Sequence, residues 1–149
     1  MTEERSRAGD VVVLPDVPVR LFLESQDHQH DLIRELQLIH LGQRFDVGTD
    51  DVSRELAELI AGILSRYREV RTATRDQALA ALDRGDERVT LSVPVREGMA
   101  EALQRWLELL EQADRLCREG ELLQLAARPE IRGLRHWYVE RLVAALTDR

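Results

Sequence analysis

The stretch ESQDHQHD, residues 24–31, gathers the side chains of this chain that are best suited to chemistry. It interrupts a helical pattern that places Leu21 and Leu32 on one apolar face, and the two missing steps on that face fall at Ser25 and His28. One interpretation is a polar pocket in which His28 contacts a ligand or carries a proton. The other is an interior histidine satisfied by its neighbours, or a solvated segment of helix. The sequence leaves both interpretations open.

Histidine and carboxylate side chains in the same stretch raise the question of a metal site. On a helix, His28 and His30 point about 200° apart, so the two do not chelate one ion together. Helical metal sites place their ligands three or four residues apart, and the pairs Glu24/His28 and Asp27/Asp31 have that spacing. We expect no metal, and a small helical metalloprotein is kept as the last of three interpretations.

Candidates for nucleophilic or phosphotransfer chemistry are few. The chain has no G-x-S-x-G elbow and no glycine-rich phosphate loop. Cys117 falls on an apolar helix face, where a cysteine packs as a small hydrophobic residue. His40 stands near a predicted helix end, where a positive charge complements the helix dipole, and the residues after it differ from those of phosphotransfer domains. We expect no catalytic residue, no cofactor and no enzymatic activity.

The tetrapeptide VPVR occurs twice, at residues 17–20 and 93–96, each time after a β-branched run and before a helical pattern. The two copies lie about half a chain length apart, which favours two pseudo-equivalent halves that begin near residues 17 and 93. The arginines of the two copies, Arg20 and Arg96, are candidate contacts for an anionic ligand or partner, although surface ion pairs are their commoner use. Trp137 falls on the flank of a helix face and is a candidate interface residue.

Composition narrows the class of protein. The 149 residues suffice for one domain, and the net charge of −7 disfavours nucleic acid and anionic membranes as partners. Aromatic residues make up only 4%, too few for a platform on which bases stack, and the single cysteine excludes an internal disulfide framework. We expect a cytoplasmic protein with a polar, disordered tail over residues 1–10 and one helical domain over residues 11–149.

The spacing of apolar residues, together with proline and glycine positions, predicts five helices, over about residues 19–41, 51–70, 74–83, 94–118 and 129–146. The runs VVVLP and RVTLSV are short and rich in β-branched residues, so at most one strand-like pair is expected between them. The predicted fold class is therefore all-α, an antiparallel bundle of about five helices.

Two long segments, LPDVPVRLFLESQDHQHDLIRELQLI and ADRLCREGELLQLAARPEIRGLRHWYVERLV, carry a resemblance to a known family. Their V-P-V opening, R-E-L-x-L-I close, L-C-R-x-G-x-L-L-x-L run and P-E-(I/V)-R-x-L-R-x-W ending resemble helical accessory regions of actinobacterial regulatory proteins. Those proteins also carry histidine-kinase-like ATPase domains of the anti-sigma-factor type. This chain has no Asn-bearing helix followed by a D-x-G-x-G loop, so the resemblance implies an accessory helical module and carries over no catalytic residue.

The resemblance and the lack of a catalytic set together favour a non-catalytic interaction or sensory module in bacterial signal transduction, linked to sigma-factor regulation. Its expected partner is a histidine-kinase-like ATPase or another sigma-factor regulator, and a homodimer is compatible with this function. The alternative is a small-molecule sensor that uses a polar pocket around Ser25 and His28.

Overall fold

The computed structural model describes residues 10–40, 51–120 and 126–148 of the chain. Helices dominate these residues, and two short strands pair in one antiparallel sheet, as the sequence predicts. The elements in chain order are β1 (Val11–Pro18), α1 (Val19–His40), α2 (Asp51–Arg66), α3 (Arg68–Asp83), β2 (Arg88–Pro94), α4 (Met99–Arg118) and α5 (Pro129–Thr147). Among the described residues, none of these helices has the length and apolar character that crossing a bilayer requires.

The sheet joins the two β-branched runs. Val12 pairs with Val93 and Leu14 pairs with Leu91, and these side chains alternate inward with exposed neighbours, as expected when one face of a sheet is buried. The register shifts by one residue between Leu14 and Val17, where Asp16 takes a φ of 59°. Residues 1–9 of the predicted tail, which spans residues 1–10, lie outside the described residues. Residue 10 belongs to the sheet region, because its carbonyl oxygen accepts a hydrogen bond from the N–H of Val95 at 3.2 Å.

The boundary between α2 and α3 differs from the predicted one. The sequence pattern predicts one helix to residue 70 and a short helix from residue 74, whereas the structure interrupts the helix at Tyr67 alone and continues it from Arg68 to Asp83. The N–H of Tyr67 still donates to the carbonyl of Ile63 at 3.0 Å, so backbone hydrogen bonding runs through the interruption. Gly85, with a φ of 81°, ends α3 in the left-handed conformation that glycine adopts without steric cost.

The start of α4 also differs from the prediction. Pro94 closes β2 instead of opening a helix, and α4 begins at Met99. Gly98 precedes it with a φ of 75°, a backbone conformation that turns the chain from the strand into the helix. By contrast, α5 begins at Pro129, where the sequence places it, because a proline at the first helical position lacks only an N–H that has no partner there.

The buried apolar side chains form two clusters. One, here called the sheet-side core, joins the inner face of the sheet to the start of α1 and to α3 and α5; its members include Val17, Val19, Phe22, Leu91 and Leu142. The other, called the distal core, joins the second half of α1 to α2 and α4; its members include Leu32, Leu36, Leu56, Ile60, Leu109 and Leu110. Helix α1 contributes to both cores and contacts α2, α3 and α5.

Candidate ligand-binding site

The polar stretch of α1 lies where the two cores separate. Phe22 and Leu23 belong to the sheet-side core, and the next apolar residue of α1, Leu32, belongs to the distal core. Between them, Ser25 is only 4% exposed and Gln26 is also buried. The gap in the apolar pattern is therefore an interior polar segment rather than a solvated face of the helix.

A cavity of about 110 Å³ adjoins this segment. Its polar wall includes Ser25, Gln26 and Gln29 from α1. The remainder of the wall comes from the four other helices and is mainly apolar, with members such as Ile63, Leu64, Leu103, Trp106 and Leu107. Pockets of this kind, apolar with a few convergent polar groups, are the usual form of small-molecule sites.

The polar wall continues from α1 onto α3 through Thr74, which is almost fully buried, and onto α5 through Tyr138. The Thr74 hydroxyl lies 3.1 Å from the carbonyl oxygens of both Val70 and Arg71 and so donates within its own helix, and the Nε2 group of Gln26 donates to it at 3.5 Å. Burial raises the pKa of the Tyr138 hydroxyl above its usual range, while a hydrogen bond with Thr74 acts in the opposite direction. Tyr138 therefore stays a neutral hydrogen-bonding group beside the cavity.

Behind the polar wall, His28 belongs to a chain of hydrogen bonds that crosses from α1 to α5 and α4. The Nη2 group of Arg135 donates to Nδ1 of His28 at 2.8 Å, and its Nη1 group donates to Oδ2 of Asp114 at 3.0 Å. The second carboxylate oxygen of Asp114 accepts the backbone N–H of Ala127 at 3.2 Å. Because a guanidinium can only donate, Nδ1 of His28 accepts, so the ring proton of the neutral imidazole is on Nε2.

The Asp114–Arg135 ion pair is almost fully buried, with the two side chains 1% and 4% exposed. Arg135 also lines the cavity, and its Nε–H has no acceptor among the described residues. The sequence analysis missed both residues. A signal was present, because Asp114 lies four residues after Leu110 and Arg135 four residues after Ile131, which places two opposite charges inside apolar helix faces.

Cys117 packs beside the distal core. Burial raises the pKa of its thiol from 9.0 to about 11, and the negative charges of Asp114 and Glu35 act in the same direction. At neutral pH the side chain is therefore a thiol, which is a poor nucleophile and a poor metal ligand.

The two VPVR arginines are not brought together. Pro18 at the end of β1 pairs with Arg88 at the start of β2, so Arg20 and Arg96 follow opposite ends of the antiparallel sheet. Arg20 is exposed, and Arg96 forms an ion pair with Glu69 at 3.5 Å. Neither residue lines the cavity beside α1.

Trp137 is partly buried against the sheet-side core. The guanidinium carbon of Arg141 lies 5.7 Å from the centre of its ring, a cation–π distance. Both side chains line an open groove of about 600 Å³, to which Leu14 and Arg88 also contribute. This groove lies beside β1 and is separate from the cavity beside α1.

His28 and His30, the histidines considered for metal chemistry, belong to no metal-binding cluster among the described side chains. His30 is exposed and lies 3.3 Å from the Nη2 group of Arg34, while the side chain of His40 lies outside the described residues. Over residues 10–40, 51–120 and 126–148 as far as they are described, no three histidine, cysteine or carboxylate side chains form a group that fits a metal ion.

Comparison with protein-family models, curated proteins and solved structures found no match for this chain.

Proposed function

We propose that this chain is a non-catalytic sensory module that binds a small molecule in the cavity beside α1. The observation that carries the proposal is the cavity itself, about 110 Å³ with one polar and one apolar wall, at the junction of two cores. Ser25 contributes to its wall directly, and His28 contributes indirectly by bonding to Arg135, which lines the cavity. A ligand there would contact all five helices, so binding would stabilise their arrangement.

The polar groups around the cavity favour binding over catalysis. The Asp114 carboxylate is neutralised by Arg135 and the Cys117 thiol is protonated at neutral pH, so neither is poised as a base or a nucleophile. The Gln29 amide donates to the Ser25 hydroxyl oxygen at 3.2 Å, and the two side chains belong to the same helix. Amide and hydroxyl groups of this kind orient a ligand without reacting with it.

A thermal-shift screen with a cavity-filling variant tests the proposal. Ala102 lines the cavity and Ala80 is exposed on α3, so Ala102→Leu blocks the site while Ala80→Leu is a matched control. Small molecules extracted from the natively purified protein and a panel of acids, alcohols, amines, sugars and nucleotides supply the candidates. We expect at least one compound to raise the Tm of the wild-type and Ala80→Leu proteins and to leave that of Ala102→Leu unchanged. A panel and an extract without such a compound would overturn the proposal.

We also propose that the module acts in bacterial signalling linked to sigma-factor regulation, in the cytoplasm, through a protein partner such as a histidine-kinase-like ATPase. The family resemblance motivates this role, and the groove at Trp137 and Arg141 is the candidate contact surface, because tryptophan and arginine are enriched at binding hot spots. Native mass spectrometry of the protein isolated from its own cells tests it. A stoichiometric partner that Trp137→Ala releases supports the role, whereas a homodimer or a lone chain from those cells contradicts a hetero-partner.

For the architecture we propose one domain, an antiparallel bundle of two pseudo-equivalent halves. The halves would begin near residues 17 and 93, each with the end of a strand followed by a long helix, β1 with α1 and β2 with α4. The antiparallel pairing of β1 with β2 supports a two-fold relation, because such an axis exchanges two antiparallel strands. Superposition of β1–α1 on β2–α4 in an experimental structure, by rotation of about 180°, is the expected result.

A further inference from the structure

One arginine on the cavity wall has no counter-charge within the part of the chain that the structure describes. Arg71 of α3 is partly buried and lines the cavity. Its neighbour one turn on, Arg75, pairs with Asp27 at 3.1 Å, and Arg135, which also lines the cavity, pairs with Asp114 at 3.0 Å. Arg71 forms no ion pair among the described residues, and the charge that acts on its pKa is the positive charge of Arg75.

An unpaired guanidinium in such a place is energetically unfavourable. Burial and the positive charge of Arg75 lower the pKa of Arg71, in that order, and no carboxylate opposes them. Buried charges in proteins are normally paired. Arg135 also lines the cavity, and its Nε–H is buried without an acceptor among the described residues. Among the described residues, Arg71 lines the cavity without a carboxylate partner and Arg135 lines it with a buried N–H that has no acceptor. Together these two features indicate a guest that brings a negatively charged acceptor.

The apolar part of the cavity lining determines the rest of the guest. Leu64, Leu103, Trp106 and Leu107 present only apolar carbon, apart from the indole N–H, and therefore favour an apolar body. A cavity of about 110 Å³ is somewhat smaller than the ~150 Å³ apolar cavity that accepts benzene. Because the cavity is not fully enclosed, it has room for a body of about six carbon atoms.

We propose that the cavity binds a small apolar carboxylate, a short-chain fatty acid or an aromatic acid of about six to eight carbons, with its carboxylate on Arg71. This inference rests on the proposed ligand-binding function and names the ligand class for that site. A carboxylate suits the site better than a phosphate group because it carries one charge and matches the planar guanidinium with two parallel hydrogen bonds. A phosphate dianion would require a second free cation, and Arg75 is already paired.

Isothermal titration calorimetry with matched probes tests the ligand class. Hexanoate and benzoate are the acids, and hexanol and benzyl alcohol are neutral molecules of similar shape. We expect the acids to bind the wild-type protein with a Kd below about 1 mM and the alcohols to bind at least about tenfold more weakly. Trp106 lines the cavity and Trp137 does not, so quenching of tryptophan fluorescence that persists in Trp137→Phe locates the probe.

Two arginine variants assign the carboxylate contact. Arg71→Gln removes the charge at the cavity, and Arg75→Gln removes an equal charge one turn away, outside the cavity wall. We expect Arg71→Gln to weaken hexanoate binding by about tenfold or more and to leave hexanol binding unchanged, whereas Arg75→Gln changes neither by more than about twofold. If Arg71→Gln does not fold, Arg71→Lys keeps the charge but loses the bidentate geometry, and a several-fold loss for hexanoate alone is then expected.

The outcomes separate this inference from the proposed function. If acids and alcohols bind equally, or if Arg71→Gln binds hexanoate as the wild-type protein does, the carboxylate inference is wrong and the cavity remains a ligand site. If no acid binds but another compound class gives a thermal shift that Ala102→Leu abolishes, the inference again fails alone. If no compound of any class binds, both proposals fail.

Discussion

Breaking the buried Asp114–Arg135 pair should be among the most damaging single changes in this protein. Replacing Asp114 by alanine leaves the Arg135 guanidinium buried with only His28 as a partner and leaves the buried N–H of Ala127 without its acceptor. Removing one partner of a buried ion pair costs about 3–5 kcal/mol, because the remaining charge stays in a poorly polarisable interior. We therefore expect Asp114→Ala and Arg135→Met each to lower the free energy of unfolding by about 3–5 kcal/mol.

The double variant is the more informative experiment. Asp114→Asn with Arg135→Met removes both charges and keeps an acceptor oxygen for Ala127, so it should cost about 1–3 kcal/mol, well below the sum of the two single losses. Leaving one buried charge without its partner therefore costs more stability than removing both charges. The matching single variants for the cycle are Asp114→Asn and Arg135→Met, and each should cost about 3–5 kcal/mol because it leaves one buried charge unpaired. The coupling energy between the two positions should then exceed about 3 kcal/mol.

Urea unfolding, followed by circular dichroism and by tryptophan fluorescence, measures these losses. With an m-value of roughly 2 kcal/mol per M, each single variant should shift the midpoint down by about 1.5–2.5 M. The exposed pair Arg84–Asp86, with side chains 59% and 46% exposed, is the control. Asp86→Ala should shift the midpoint by less than about 0.5 M, because surface ion pairs contribute under about 1 kcal/mol. Additive losses at Asp114 and Arg135, or a loss at Asp114 no larger than at Asp86, would refute the reasoning.

Three further predictions concern other parts of the fold. The pKa of Cys117 is raised from 9.0 to about 11, so the folded protein binds the thiol proton more tightly than the unfolded chain does. The protonated thiol therefore stabilises the fold fully below about pH 9, and this stabilisation is lost as the pH rises towards 11. Alkylation of Cys117 by iodoacetamide at pH 9 should accordingly be about fiftyfold slower than in urea, and equal rates would contradict the assignment. The Gln77 side chain accepts a hydrogen bond from the N–H of Ser92 and donates one to the Ser92 carbonyl, both at 2.8 Å. Gln77→Ala should therefore lower the free energy of unfolding by about 1–2 kcal/mol and increase hydrogen exchange at the Ser92 amide, and an unchanged exchange rate would contradict this. Asp16 has a φ of 59°, a backbone conformation that a β-branched residue adopts only with strain. Asp16→Val should therefore lower the free energy of unfolding by about 1–2 kcal/mol, while Asp16→Gly costs little. Equal effects of the two changes on the Tm would show that the backbone is not strained there.

Local sequence signals predict much of the secondary structure. The β-branched runs pair as strands, Pro129 starts α5, and Gly85 and Gly120, both with positive φ, follow the ends of α3 and α4. These features depend on φ restrictions and side-chain branching, which are properties of a few neighbouring residues. A sequence pattern can therefore identify them without knowledge of the remainder of the chain.

Two boundaries were predicted wrongly because tertiary contacts override local preference. Pro94 can open a helix, yet β2 extends through it because β1 supplies a partner strand, and Pro94 pairs with Val11 at the sheet edge. Tyr67 and Val70 both continue the apolar pattern of α2, and both are buried in the sheet-side core. The helix nevertheless breaks at Tyr67, a position that carries no proline or glycine to signal it.

The sequence by itself determined that α1 carries a polar segment on its apolar face. Asp114 and Arg135 also fall on apolar faces of their helices, a signal that the sequence analysis missed. Periodicity reveals such features because it depends only on spacing along one helix. The tertiary structure alone decided which groups meet. Arg135 reaches Asp114 across 21 residues and His28 across 107, while Arg71 faces the cavity without a carboxylate. Those relations depend on how separate helices pack, and packing brings together residues whose distance along the chain carries no signal.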